Sequence, residues 1–164
     1  MAASLLRLRL WLPALMWLGV IAYESFGLPS AITGSWLQNL FRTLHIHLPP
    51  ATFDFLHHAL RKSGHFTGYG ILSLLLFRAW FYSLGAGGIS ISGFRLRCAL
   101  LSLGGTLLTA IADEWHQSFT AGRTGTPKDV AVDMAGGVTA LLIALLIVVV
   151  ASRRNSMQSE RATA

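Results

Sequence analysis

Hydrophobic residues are gathered in four blocks along the chain, at about residues 10–26, 65–80, 96–112 and 130–150. Each block approaches the roughly 20 apolar residues that a helix needs to cross the hydrocarbon core of a bilayer. The third block is rich in glycine, serine and threonine, which let helices approach closely in lipid, so we expect it at the centre of the bundle. The pattern predicts an all-α membrane protein with about four transmembrane helices.

The segment between the first two blocks has a different, amphipathic pattern. One helical face carries its apolar residues: Trp36, Leu37, Leu40, Phe41 and Leu44. An amphipathic stretch that is too short to span a bilayer is typical of a helix lying in the membrane interface. Pro49 and Pro50 then interrupt the chain, and a second short helix is predicted from Thr52 to about Lys62.

Three segments follow from these elements. Residues 1–64 hold the first transmembrane helix and the interfacial segment, and residues 65–150 hold a core of three transmembrane helices. Residues 151–164 form a polar tail that we expect to be disordered in the cytoplasm. The first block has a basic start but no small-x-small cleavage site after it, so we interpret it as a membrane helix rather than a signal peptide.

The composition supports a membrane protein over a soluble one. Charged residues make up 12% of the 164 residues, about half the usual share of a soluble domain. The formal net charge is +6, but the basic residues are scattered beside the apolar blocks, so we expect no nucleic-acid partner. The single cysteine, Cys98, excludes a disulfide framework.

The distribution of lysine and arginine predicts the orientation. With four spans, the N-terminus, the second loop and the C-terminus share one side and hold eight basic residues: Arg7, Arg9, Arg78, Arg95, Arg97, Arg153, Arg154 and Arg161. The opposite side holds five: Arg42, Arg61, Lys62, Arg123 and Lys128. The positive-inside rule therefore predicts a multi-pass protein of the bacterial inner membrane with both termini in the cytoplasm.

Polar residues on the outer half are the most unusual feature of the sequence. In this topology six of the seven acidic residues lie there, all except Glu160. Three pairs have i, i+4 spacing and so share a helix face: His65 with Tyr69, Asp113 with Gln117, and Asp129 with Asp133. Ionisable groups near lipid are costly unless they are paired or functional, so we expect these pairs to face one another, with Glu24 beside them.

Two motifs in this region resemble those of a known family. The first reads Lys62-x-x-His65-Phe66-x-x-Tyr69 and is followed later by Arg78. The second reads Asp113-Glu114-x-x-Gln117-x-Phe119-x-x-Gly122-Arg123, and Asp129 and Gly136-Gly137 follow it. Over about residues 61–140 the chain closely resembles the VanZ-like family of small integral membrane proteins, named for a glycopeptide (teicoplanin) resistance factor. The family often has Asp at the position of Arg61 and usually Asn at that of Asp133, so the electrostatics of this site depart from the family pattern.

The resemblance implies a polar site on the outer face without implying a reaction. We expect its binding residues to be Lys62, His65, Tyr69, Asp113, Glu114, Gln117, Arg123 and Asp129. Lys62, His65 and Arg123 are predicted to receive an anionic group. Asp113, Glu114 and Asp129 are predicted to orient them. The expected partner is a membrane lipid or a lipid-linked cell-wall precursor, with a role in envelope homeostasis or glycopeptide tolerance.

Other interpretations of the same residues stay open. The charged groups can form a network of ion pairs that ties helix ends together. The protein can instead be a hydrolase or transferase acting on lipid-linked phosphate, with His65 or Glu114 as general base. Lys62-Ser63-Gly64-His65 is similar to the Ser-Gly-His element of lipid phosphatases, although the rest of their pattern is missing. A small proton-coupled transporter is disfavoured, because the first, third and fourth blocks carry no charge at mid-span.

A metal site is a further alternative. Oxygen and nitrogen ligands are offered by Glu24, His65, Asp113, Glu114 and His116. The spacings HxxxH and HExxH are absent, however, and Lys62 and Arg123 would repel a cation. We therefore expect no metal and no other cofactor. Four short helices leave little room for an internal cavity and are compatible with a homodimer, but no interface stands out in the sequence.

Overall fold

Five helices make up the part of the chain that the computed structural model describes, residues 2–27, 30–85, 87–88, 90–119 and 125–163. They are α1 (Ala2–Gly27), α2 (Ser30–Thr43), α3 (Pro50–Ser83), α4 (Ile91–Gln117) and α5 (Pro127–Thr163). No strand occurs in those residues, so the all-α prediction is confirmed for them.

The contacts of α1 define the two ends of the bundle. At one end the Trp11 indole of α1 donates to Ser83 Oγ in the last turn of α3, at 3.1 Å. At the other end Ser25 of α1 lies 3.4 Å from Nδ1 of His116 in the last turn of α4. The last turns of α1 and α4 therefore lie at the same end, opposite the last turn of α3.

The central helix is α3, which packs against all four other helices. Gly136 of α5 permits the closest approach, since a methyl group there would collide with the backbone carbonyl of Phe66. On the side of α4, Ser73 Oγ lies 3.2 Å from Ser102 Oγ, and both serines are fully buried. The glycine-rich third block, α4, is thus not the central helix that the sequence predicts. The reason is that α3 presents its own small residues to both neighbours.

Two elements that the sequence predicts separately are combined in α3. It begins at Pro50, where the proline ring fits the first helical position, and runs for 34 residues without a break at Gly64. A single glycine costs a helix only about 1 kcal/mol relative to alanine, which is too little to end it here. The short helix predicted from Thr52 to Lys62 is therefore the first part of α3, and the boundary predicted at residue 64 lies inside a helix.

The amphipathic stretch forms part of α2, which lies along the first part of α3. Thr33 Oγ1 is 3.0 Å from His57 Nε2. The rings of Phe41 and Phe53 meet edge to face with their centroids 6.4 Å apart. The helix is confirmed, and its place in the membrane interface stays a prediction.

Two helices in the described part of the chain are long and apolar enough to cross a membrane: α4 and residues Pro127–Arg154 of α5. Their surfaces carry exposed apolar side chains such as Leu108 and Leu146, as expected of faces that meet lipid. The count of four spans and the cytoplasmic location of both termini stay predictions. Beyond the predicted fourth span, α5 continues to Thr163 and includes residues of the predicted disordered tail.

Candidate functional site

The polar side chains that the sequence singles out on α3, α4 and α5 meet at one end of the bundle. These residues are Lys62, His65 and Tyr69 on α3, Asp113, Glu114 and Gln117 on α4, and Asp129 and Asp133 on α5. Residues at i and i+4 lie about one turn apart on the same face, so each helix presents polar groups at a similar depth. The interactions between them cross from helix to helix, as the spacing predicts.

Two interactions join α3 to α5. The Lys62 ammonium group forms an ion pair with Asp129, and both side chains are partly exposed. Deeper in the bundle, Nδ1 of His65 lies 3.2 Å from Oδ1 of Asp133, which is fully buried. A neutral imidazole placed in this way is oriented by the carboxylate, as a general base or a metal ligand often is.

Two further hydrogen bonds hold the carboxylates of α4. The Tyr69 hydroxyl donates to Asp113 Oδ2 at 3.0 Å, and both residues are buried. The backbone N–H of Thr126 donates to Glu114 Oε2 at 2.9 Å. Each α4 carboxylate is therefore fixed through one of its two oxygens.

The segment before α5 has the helix start that the sequence predicts. Thr126 Oγ1 accepts a hydrogen bond from the backbone N–H of Asp129 at 3.3 Å, and Pro127 is the first helical residue. Gly125 passes so close to α4 that a methyl group there would collide with the backbone carbonyl of Glu114. This close approach brings the Thr126 amide to the Glu114 carboxylate.

Four buried polar atoms at this site have no hydrogen-bond partner among the described residues: Asp113 Oδ1, Glu114 Oε1, Gln117 Nε2 and Asp133 Oδ2. The side chains are well enclosed, since Asp113 is 8% exposed, Glu114 5% and Asp133 0%. Burying a polar group without a partner costs about 1–3 kcal/mol, and a charged group costs more. Such atoms are candidates for direct contact with a ligand.

The four side chains that are best placed to hold a metal are His65, Asp113, Glu114 and Asp133, whose donor atoms lie within 4.8 Å of one another. The sequence offers the first three as possible ligands but does not place Asp133 among the predicted binding residues. The spacings HxxxH and HExxH lie within one helix, whereas these four ligands come from three helices. The i, i+4 spacing of Asp129 and Asp133 is the sequence signal that points to Asp133. Lys62, which was expected to repel a cation, is paired with Asp129 instead.

A cavity of about 270 Å³ opens beside this cluster, between α1, α2, α3 and α4. Its walls are mostly apolar, with Ile21 and Leu60 among them. Polar side chains line it as well: Glu24, Ser25, Thr33, Arg61, His65, Tyr69, Asp113 and Gln117. We call the part next to the cluster, at His65, Tyr69, Asp113 and Gln117, the polar end of the cavity. The arrangement suits a molecule with a small polar group and an apolar remainder.

The remaining site predictions have mixed outcomes. Glu24 lines the cavity, which agrees with its expected place beside the polar pairs. His116 lies near Ser25 and is not one of the four clustered donors. Arg123 lies outside the described residues, so its predicted role stays a prediction.

Comparison with known proteins gives one match. A family model described as VanZ/LLP1 matches residues 10–148, which extends the resemblance in the motifs to most of the chain. No curated protein and no solved structure matches the chain significantly.

Proposed function

This chain belongs to the VanZ/LLP1 family and is a membrane protein, and we propose that it binds the head group of an anionic lipid in the cavity beside His65. The ligand class is a membrane lipid or a lipid-linked cell-wall precursor. Its biological role is envelope homeostasis or glycopeptide tolerance. The protein crosses the inner membrane four times, with both termini in the cytoplasm and the cavity at the outer face.

The observation that carries this proposal is the combination of apolar walls and a polar end in one cavity. A volume of about 270 Å³ is slightly below the range of pockets that enclose whole drug-sized ligands. It accommodates a phosphate-sized head group and the first part of an apolar chain, whose remainder lies in the bilayer. A soluble polar metabolite would gain little from walls that include Ile21 and Leu60.

Charged groups on α3 supply recognition of the anion. Arg61 lines the cavity and the neighbouring Lys62 is held by Asp129, so two cations stand in sequence just before His65. Guanidinium and ammonium groups form strong charge-assisted hydrogen bonds with phosphate oxygens. The expected role of Asp129 in orienting Lys62 agrees with their ion pair, whereas Asp113 and Glu114 are held by Tyr69 and Thr126.

A lipid titration tests this function. The full chain, purified in neutral detergent, is titrated with a polyprenyl phosphate and, as zwitterionic control, with phosphatidylcholine, and bound lipid is counted by native mass spectrometry. We expect at least about tenfold tighter binding of the anionic lipid, the size of one charge-assisted hydrogen bond. Equal affinity for the two lipids would refute anionic recognition.

A matched pair of variants locates the binding. Lys62→Gln removes the cation that follows the cavity-lining Arg61 in the sequence and pairs with Asp129, whereas Arg78→Gln removes an exposed cation near the other end of the same helix. We expect Lys62→Gln to weaken anionic binding about tenfold and Arg78→Gln to leave it unchanged. In cells, Glu114→Gln and Arg123→Ala are expected to change glycopeptide tolerance and the level of lipid-linked intermediates. Normal insertion with wild-type behaviour of both would contradict the assigned role.

A second function, hydrolysis or transfer of a lipid-linked phosphate, is favoured by one observation. The Asp133 carboxylate lies 3.2 Å from His65 at the polar end of the cavity, an arrangement that orients an imidazole as general base. Incubation of the purified chain with polyprenyl phosphates separates the two functions. Release of inorganic phosphate that is lost in His65→Gln supports catalysis, and binding without release supports a binding protein.

A further inference from the structure

We propose that His65, Asp113, Glu114 and Asp133 bind one divalent metal ion at the polar end of the cavity. The site joins α3, α4 and α5, and it is carried by the geometry of these four side chains. It does not depend on lipid binding, although two of its members, His65 and Asp113, also line the cavity.

The donor atoms are close enough to share one ion after a small adjustment. One nitrogen or oxygen from each of the four residues lies within 4.8 Å of all the others. Metal bonds of about 2.0–2.2 Å place two ligands ~4.4 Å apart when they lie on opposite sides of the ion, and about 3.4 Å apart in a tetrahedral site. Rotation of the side chains must therefore bring the widest pair of donors closer by between a few tenths of an ångström and about 1.4 Å, depending on the coordination geometry.

Each carboxylate is already oriented for this purpose. Tyr69 holds Oδ2 of Asp113, the Thr126 amide holds Oε2 of Glu114, and His65 lies against Oδ1 of Asp133. Metal-binding carboxylates are commonly fixed in this way, with one oxygen hydrogen-bonded by the protein and the other given to the ion. In each case the second oxygen is the buried atom that has no hydrogen-bond partner among the described residues.

The burial of the cluster supplies an independent reason for a cation. Three carboxylates that are each more than nine-tenths buried lie at one end of α4 and α5, the two helices that are long and apolar enough to cross a membrane. Removing such groups from water is costly unless an opposite charge compensates them. In the described part of the chain Lys62 is paired with Asp129 and makes no hydrogen bond to these three carboxylates.

The ligand set indicates the class of metal. Three carboxylates and one imidazole suit a first-row transition ion such as Zn²⁺ or Mn²⁺. Ca²⁺ is usually held by 6–8 oxygen ligands, and Mg²⁺ keeps several waters, so a compact site with an imidazole favours neither. Gln117 Nε2, the fourth buried atom lacking a partner among the described residues, can donate to a water or to an anionic oxygen bound to the ion.

The metal also reduces the repulsion between an acidic site and an anion. A divalent ion lowers the formal charge of the three carboxylates from −3 to −1, and a phosphate oxygen can complete its coordination. This last step rests on the proposed lipid function, whereas the metal site does not.

Metal analysis of the purified full chain, without an affinity tag, tests the inference. The protein is stripped with a chelator, dialysed against Zn²⁺, Mn²⁺, Ca²⁺ or Mg²⁺, and the bound metal is measured by plasma mass spectrometry. We expect close to one Zn²⁺ or Mn²⁺ per chain. We expect at least about tenfold weaker binding in Asp133→Asn and in Glu114→Gln, each of which keeps the shape of the side chain.

Two controls separate this site from the other acidic and histidine residues. Asp54→Asn removes an exposed carboxylate on α3, and a variant with His45→Gln and His47→Gln removes two exposed imidazoles. Both are expected to bind metal as the wild type does. Loss of binding in the histidine variant, with Asp133→Asn unaffected, would overturn the proposal.

The wild-type protein decides the matter even if the variants fail to fold. Absence of any bound ion at micromolar Zn²⁺ and Mn²⁺ overturns the metal site. Metal binding without lipid binding refutes the proposed function alone. Lipid binding that a chelator leaves unchanged, in a protein without metal, refutes the metal site alone.

Discussion

The hydrogen bond between Tyr69 and Asp113 offers the most direct test of the buried polar cluster. The change Tyr69→Phe removes only the hydroxyl that donates to Asp113 Oδ2, at 3.0 Å. The ring remains and still fills its place in the core, where Tyr69 is 2% exposed. The effect of the substitution therefore reports on the hydrogen bond rather than on packing.

The stability cost of Tyr69→Phe depends on whether the Asp113 carboxylate keeps a hydrogen-bond partner. Hydrogen bonds between membrane helices average about 0.6 kcal/mol, because a neutral group often finds another partner. Asp113 is 8% exposed, and its other oxygen has no hydrogen-bond partner in the described residues, so losing Tyr69 leaves the whole carboxylate without one. The cost of losing a hydrogen bond to a charged group, about 1.5–3 kcal/mol, is therefore the better guide.

Thermal unfolding of the metal-stripped protein in detergent measures this cost. For a chain of this size, 1.5–3 kcal/mol corresponds to a fall in Tm of roughly 3–12 °C. Tyr82→Phe is the matched control, since Tyr82 is on the same helix but 65% exposed, and it is expected to change Tm little. Combining Tyr69→Phe with Asp113→Asn should cost less than the sum of the two changes. The amide oxygen can still accept from the Tyr69 hydroxyl but carries no charge, so each change removes the same charge-assisted part of the hydrogen bond.

Equal Tm values for Tyr69→Phe and Tyr82→Phe would refute the reasoning. That result would mean that the Asp113 carboxyl group finds another partner once the Tyr69 hydroxyl is removed. Full additivity with Asp113→Asn would lead to the same conclusion.

Three further predictions concern packing, the start of α5 and topology. Gly136→Ala should lower the free energy of unfolding by about 1–3 kcal/mol, because the added methyl group collides with the Phe66 carbonyl. Gly104→Ala is the control, since a methyl group there meets open space and should be neutral or slightly stabilising. Equal Tm values for the two variants would contradict the close approach of α5 to α3. Thr126→Ala should lower the free energy of unfolding by about 1 kcal/mol, because the N-cap hydrogen bond is lost. Thr126→Ser keeps the hydroxyl and should retain most of the stability. Chemical denaturation compares the two variants, and a similar loss in both would argue against capping. A C-terminal alkaline phosphatase fusion should be inactive and a C-terminal fluorescent protein fusion should be bright, because four spans leave both termini in the cytoplasm. The reverse pattern would require an odd number of spans or the opposite orientation.

Hydrophobic length and spacing predict the positions of four helices well, since each apolar block lies inside one of α1, α3, α4 and α5. The prediction fails at residue 64, where the sequence analysis ends the interfacial segment and starts a new helix. Nothing lies within 4 Å of the position that a Cβ at Gly64 would occupy, so the helix tolerates the glycine rather than requiring it. Local composition does not reveal that α3 continues through this point.

The sequence predicts most of the residues of the polar site, but it does not predict which of them interact. Spacing of i, i+4 indicates which residues share a helix face, so His65 and Tyr69 are predicted to face the neighbouring helices α4 and α5. Which groups meet depends on the depth and rotation of helices whose residues lie far apart in sequence. The pairing of His65 with Asp133 joins residues 68 positions apart, and nothing near either residue specifies it.

Because α3 is one continuous helix, it fixes the distance and the rotation between its surface that packs on α2 and its polar site residues. His57, which meets Thr33 of α2, and His65 stand on one uninterrupted helix. Insertion of a single residue between them would turn one face relative to the other by about 100° and shift it by ~1.5 Å. A loop at Gly64 would absorb such an insertion, whereas this helix transmits it, so the number of residues between His57 and His65 sets how the α2 contact is placed relative to the site.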